Sequence, residues 1–116
     1  MSKPVYNCGL SAAMGVVGGK WKLLVIGGLM AGPRRFGELR RAIGGISEKM
    51  LIQQLRELEA NGIVTRHDFG EVPPRVEYAV TEFGLSLIEA LKPLCEWGST
   101  HMERIVAIKE ATTAGV

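Results

Sequence analysis

Lys49, Gln53 and Arg56 recur at spacings of four and three residues in a stretch that opens at Ser47 and closes at Gly62. On a helix turning by about 100° per residue they share one stripe, while Leu51, Leu55 and Leu58 share the opposite one. The chemistry of such a stripe is recognition. Arg and Lys donate to the O6 and N7 acceptors of guanine in a major groove, and a Gln amide pairs with adenine through one donor and one acceptor. Gln54 and Ile52 flank the stripe, and Ile52 either touches a thymine methyl group or merely sits exposed. A solvated helix face produces the same alternation, so the surroundings must decide.

Those surroundings form an ordered series. Ser47 is a good N-cap, and Glu48 suits the positive end of the helix that follows, which runs over about 47–61. Upstream, Phe36, Leu39 and Ile43 line one face of a short amphipathic helix over 36–43, joined to the next by Gly44 and Gly45. Downstream, residues 63–69 and 76–81 alternate enough for two strands, and the loop between them holds Pro73, Pro74 and Arg75. Helix, glycine turn, second helix and hairpin, in that order, predict a winged helix-turn-helix with double-stranded DNA as partner. Ser47 both caps and is within reach of a phosphate. Arg34, Arg35, Arg40 and Arg41 are phosphate-clamp candidates around the first helix, of which two are expected to serve. Arg75, stiffened by its prolines, is the candidate finger of the wing, spanning about 63–81; Arg66 and His67 are weaker. Lys20 stands at the start of an earlier helix where it could approach a phosphate, beside a Trp21 expected in the core.

Over the 116 residues the formal net charge is only +2, too small to argue for a polyanion by itself. Its distribution says more: residues 33–66 carry seven Lys and Arg against four Glu, and the rest of the chain seven against eight acids. An apolar share of 47% suits one domain with one core, 1–116. Ahead of the docking unit, apolar spacing predicts helices at 10–17 and 21–30, jointed at Gly18 and Gly19 and stopped by Gly32 and Pro33. Gly27 and Gly28 fall inside the second, which demands close packing or a bend. Behind it, Thr81 caps a terminal helical region divided or kinked by Pro93, with residues 111–116 expected to fray. Its apolar surface, from Leu87 through Trp97 to Ile108, exceeds what so small a domain covers, which predicts a homodimer. The fold class is thus α+β, mainly α: a winged helix-turn-helix with dimerisation helices at about 8–17 and 82–111.

Other functions find little support. Cys8 and Cys95 form no pair at metal-ligand or disulfide-framework spacing, and His67 and His101 stand isolated, so neither a metal nor a cofactor is expected. The string MGVVGGKW misses phosphate-loop spacing and puts Trp21 where a Ser or Thr must hold magnesium, and no catalytic constellation is spaced persuasively; an enzyme is not expected. With no secretory leader and no uninterrupted apolar span, the expected location is cytoplasmic, away from membranes. For Cys8 a buried small residue and a reactive thiol are even choices on position; Cys95, between Leu94 and Trp97, reads as packing.

Five blocks, GGKW at 18–21, GPRRFGELRRAI at 32–43, ISEKMLIQQLRELEANGIV at 46–64, EVPPRVEYAVTEFG at 71–84 and CEWG at 95–98, resemble in order and register the HxlR-type regulators, a branch of the MarR-like winged-helix proteins. The resemblance spans roughly residues 8–98. It implies a dimeric, usually repressor-like transcriptional regulator whose terminal helices join two winged modules. It also implies a cysteine ahead of the first helix that senses oxidants or electrophiles. Cys8 stands there, followed by Gly9 where the family usually has proline. Two alternatives stay open: a winged module that binds protein in place of DNA, and a DNA-binding regulator controlled by a small-molecule ligand with no thiol involved.

Overall fold

A computed structural model describes residues 6–114. They group into one compact unit ending at Leu85 and a second beginning at Ser86. The first unit opens with α1 (Gly9–Val17) and α2 (Lys20–Gly28), which meet at an angle of 74° across Gly18 and Gly19. Gly19 takes a φ of 95°, a backbone state that costs glycine little, so the sharp joint falls where the sequence places it. Helix α2 buries Val25 and Ile26, and its last residue explains itself by contact: a Cβ on Gly28 would lie 2.7 Å from Leu39 Cδ1. Close packing is therefore the answer at Gly28, whereas Gly27 faces open space. The helix stops there, two residues short of the predicted span 21–30. Leu29 and Met30 continue as a tight turn, their N–H groups donating to the carbonyls of Ile26 and Gly27, and Gly32 with its φ of 131° only redirects the chain.

Next come β1 (Arg34–Arg35), α3 (Phe36–Ile43) and α4 (Glu48–Ala60). Helix α3 has the predicted bounds. Gly44 and Gly45 turn the chain at φ values of 74° and 73°, and the Ser47 hydroxyl accepts from the Met50 N–H at 3.1 Å, one of the orphan donors of a helix start. Leu39, Leu51, Leu55 and Leu58 are all buried beside Ile26, Ile46 and Ile63, each fully buried Leu contributing on the order of 2 kcal/mol of hydrophobic stabilisation. This core locks α3 and α4 into a fixed angle.

The hairpin is β2 (Val64–Asp68) and β3 (Val76–Val80), antiparallel with Val64 opposite Val80 and Asp68 opposite Val76. The two expected strands pair as a hairpin, and a third strand that was not expected joins them. Arg34 pairs with Tyr78 and Arg35 with Glu77, so β3 is the centre of a three-stranded sheet ordered β1-β3-β2. A two-residue strand has too few positions to show alternation, and for that reason it is silent in the sequence.

Thr81 caps α5 (Glu82–Thr100) as predicted: its hydroxyl accepts from the Gly84 N–H at 2.9 Å and donates to the Gly62 carbonyl at 2.6 Å, tying helix start to hairpin start. Pro93 does not divide this helix, which continues through it; the break comes at His101, followed by α6 (Met102–Ala114). A proline removes a single ladder bond and its φ remains helical, so surrounding turns can carry the helix past it. Across His101 the α-type bonds persist, His101 N–H to Trp97 carbonyl at 3.1 Å and Ile105 N–H to His101 carbonyl at 2.9 Å. Residues 111–114, part of the stretch expected to fray, are helical, and residues 115–116 lie outside the described part.

Candidate nucleic-acid interface

The two stripes of α4 separate in space as in sequence. Lys49, Gln53 and Arg56 are exposed, and Ile52 is half-buried beside them. With Glu48 and Glu57 they line one open, shallow groove along the helix. Gln54 is a correction: it lies on the inner side, 9% exposed, with its Nε2 donating to Met50 Sδ at 3.3 Å. Helical geometry alone could have found this, because residue 54 lies only about 40° around the axis from Leu58.

Sequence reasoning also missed Lys22 and Glu57. Lys22 reaches from α2 to form an ion pair with Glu57 Oε2, while Glu57 Oε1 accepts from Gln53 Nε2 at 3.4 Å. The bond to Lys22, reinforced by that from Gln53, holds the Glu57 carboxyl below the usual carboxylate range against a smaller opposing effect of burial. A carboxylate thus sits at the edge of that groove, and no local pattern announces a partner thirty-five positions away.

The cations around α3 divide by task. Arg40 Nε donates to the Ile46 carbonyl at 3.1 Å, bracing the glycine turn, and Arg40 and Arg41 line an open depression with Gly37, Gly44, Gly45, Ile46 and Ser47 at the start of α4. Two guanidinium groups beside a helix N-terminus suit a phosphate. Arg35 is exposed, and its backbone N–H is held by Glu38 Oε1 at 2.9 Å. Arg34 is half-buried in the β1–β3 ladder, with its Nε buried and lacking a hydrogen-bond partner. Lys20 is exposed at the start of α2, its Nζ 4.6 Å from the centre of the half-buried Trp21 ring.

Arg75 is not the free finger that its prolines suggested. Its guanidinium lies 3.8 Å from the centre of the Phe69 ring, with Glu71 at 3.6 Å and Glu77 at 3.4 Å. Phe69 N–H donates to the Arg75 carbonyl at 3.0 Å, closing the loop beneath it. The tip itself presents Val72, 97% exposed, and Arg66 and His67 are exposed on β2. Cys8 is exposed at the N-cap of α1, and Cys95 is exposed on α5 where packing was expected. Leu10 is 74% exposed on α1 and Trp97 56% exposed on α5, and Met102 and Ile108 are exposed on α6. No single helix among the described residues is long and apolar enough to cross a membrane.

A sequence profile of the HxlR-like helix-turn-helix family matches residues 16–106. An uncharacterized HTH-type transcriptional regulator of Bacillus subtilis, YkvN, is 52% identical over 99 residues, covering 85% of this chain and 84% of the relative. Among solved structures, the redox regulator HypR in its reduced form superposes with a TM-score of 0.80 at 40% identity, covering 86% of this chain and 99% of that one. Diamide-treated YodB from B. subtilis superposes at 0.69 with 38% identity, covering 80% and 93%.

Proposed function

The chain belongs to the HxlR-like helix-turn-helix family, whose relatives are transcriptional regulators, and from that membership we propose that it acts in the cytoplasm as a homodimeric repressor switched through Cys8. The observation that carries the DNA contact is the split of α4 into a buried leucine stripe and an exposed Lys49–Gln53–Arg56 stripe on one groove. In the proposal each subunit lays α4 (Glu48–Ala60) in a major groove. Lys49 and Arg56 donate to guanine acceptors, Gln53 pairs with adenine, and Ile52 meets a thymine methyl. Ser47, Arg35, Arg40 and Arg41 take phosphates at the helix start, with Lys20 at the periphery. Arg34 and Arg75 hold the sheet and the wing together, leaving the wing to approach the backbone with the exposed face of β2. Two copies pair through the exposed apolar residues of α1, α5 and α6, and bound dimers occlude the promoter.

Support for the switch comes from the exposed thiol of Cys8 and from the two solved redox-related neighbours. Oxidation that ties Cys8 into a disulfide across the dimer rotates one reading head against the other. Because half-sites repeat about every ten base pairs, a small rotation breaks register. Titration with diamide of the complex with promoter DNA tests this: the unmodified protein releases the DNA, whereas Cys8→Ser retains at least about tenfold more complex at the same diamide concentration, a difference of roughly 1.4 kcal/mol. Equal release from both proteins removes the thiol from the mechanism.

A further inference from the structure

The two oxygens of Glu57 have different partners. Oε2 is held by Lys22, a part-buried residue of α2 whose side chain is 15% exposed, and Oε1 faces the recognition groove and accepts from Gln53 Nε2. One end of the carboxylate is therefore fastened to the scaffold and the other touches the side chain assigned to read a base. A primary amide has two orientations that exchange its oxygen and nitrogen, and a neutral neighbour that both donates and accepts tolerates either. An ionised carboxylate only accepts, so it admits the amide with nitrogen inward.

We infer that Lys22 and Glu57 are positioning residues for base recognition, fixing the Gln53 amide in the orientation that reads adenine at one position of each half-site. The inference rests on the assignment of α4 as the reading helix. In the fixed orientation Oε1 and the second hydrogen on Nε2 remain free, an acceptor beside a donor, which matches adenine N6–H and N7. The reversed amide puts a donor where adenine also donates, and it accommodates guanine O6 or thymine O4 in its place. The relay excludes that second reading. The depressed titration of Glu57 agrees with a carboxylate that stays ionised at neutral pH.

The experiment selects bound duplexes first from fully random double-stranded DNA, to define the site of the unmodified chain, and then from pools of that site in which each base pair is randomised in turn. It uses the full chain and its Gln53→Ala, Glu57→Gln, Lys22→Arg and Lys22→Met/Glu57→Met variants. Glu57→Gln keeps the shape, but Lys22, which can only donate, holds the new amide oxygen and turns its NH2 toward Gln53, which then bonds with its own oxygen inward, so preference for adenine falls about tenfold at one position of each half-site while the other positions keep theirs. The double variant removes both charges together, leaves no unpaired ion in the part-buried site, and shows the same local loss. Lys22→Arg preserves the profile. If Gln53→Ala flattens that position and Glu57→Gln does not, the relay is overturned while the reading helix stands. If Gln53→Ala changes no position, the reading of Gln53 falls and takes the relay with it. Uniform weakening at all positions by Glu57→Gln assigns the pair a purely structural role and also overturns the inference.

Discussion

Replacing both Lys49 and Arg56 by glutamate lowers affinity for the promoter site by roughly a thousandfold or more, measured by gel shift at fixed salt. Each cation in register with a guanine edge is worth on the order of tenfold to a hundredfold in discrimination, and reversal adds repulsion from the phosphates on either side. The groove already contains the carboxylates of Glu48 and Glu57, and Lys49 and Arg56 are the two cations among its lining residues, so the reversal leaves Lys22, already paired with Glu57, as the nearest counter-charge described. Both substituted side chains are exposed and contribute nothing to the leucine core, so the thermal midpoint should move by no more than a few degrees. Loss of binding with the fold intact assigns the effect to the interface. Unchanged binding by the double variant would leave α4 free for another partner.

Gly84→Ala destabilises the fold by about 3 kcal/mol, at the upper end of what an inserted methyl group costs in a packed site. The added Cβ would stand 2.4 Å from the Ile63 carbonyl oxygen and 2.5 Å from Val80 Cγ1. The first of these is backbone, and the Ile63 carbonyl is itself held, accepting from the Thr81 N–H at 2.9 Å, so α5 must lift away from the hairpin start. Urea unfolding followed by circular dichroism measures the shift in midpoint, with an unaltered slope expected for a pure change in stability. A midpoint within error of the parent would mean that this helix start has room the geometry does not show. By contrast, Gly27→Ala, at a helical glycine with open space around it, gains helix propensity and serves as the control.

How far the sequence foretold this structure depends on the range over which each feature is specified. The Gly44–Gly45 turn, the Ser47 cap, the α4 leucine stripe and the Thr81 cap are written in residues within a few positions of one another, and each lies where predicted. Strand β1 was silent because Arg34 and Arg35 become a strand only through Tyr78 and Glu77, residues more than forty positions on. The same reason hid Lys22 and Glu57, whose partnership exists only once α2 lies against α4. Arg75 shows a subtler limit. Its backbone position in the wing was legible, but the direction of its side chain is set by Phe69, Glu71 and Glu77, which compete for the cation before any DNA arrives. Gln54 belongs to a different category, since the helical arithmetic that placed the leucines also placed it inward.

The separation of α4 into two faces predicts which groove of the DNA the protein reads. Methylation of guanine N7 lies in the major groove, and methylation of adenine N3 lies in the minor groove. In methylation interference on promoter DNA bound by the protein, N7-methylguanine should prevent binding in two clusters about ten base pairs apart, and adenine N3 methylation should interfere only at their flanks. Complexes that form equally well with N7-methylguanine at every position would contradict a reading helix in the major groove.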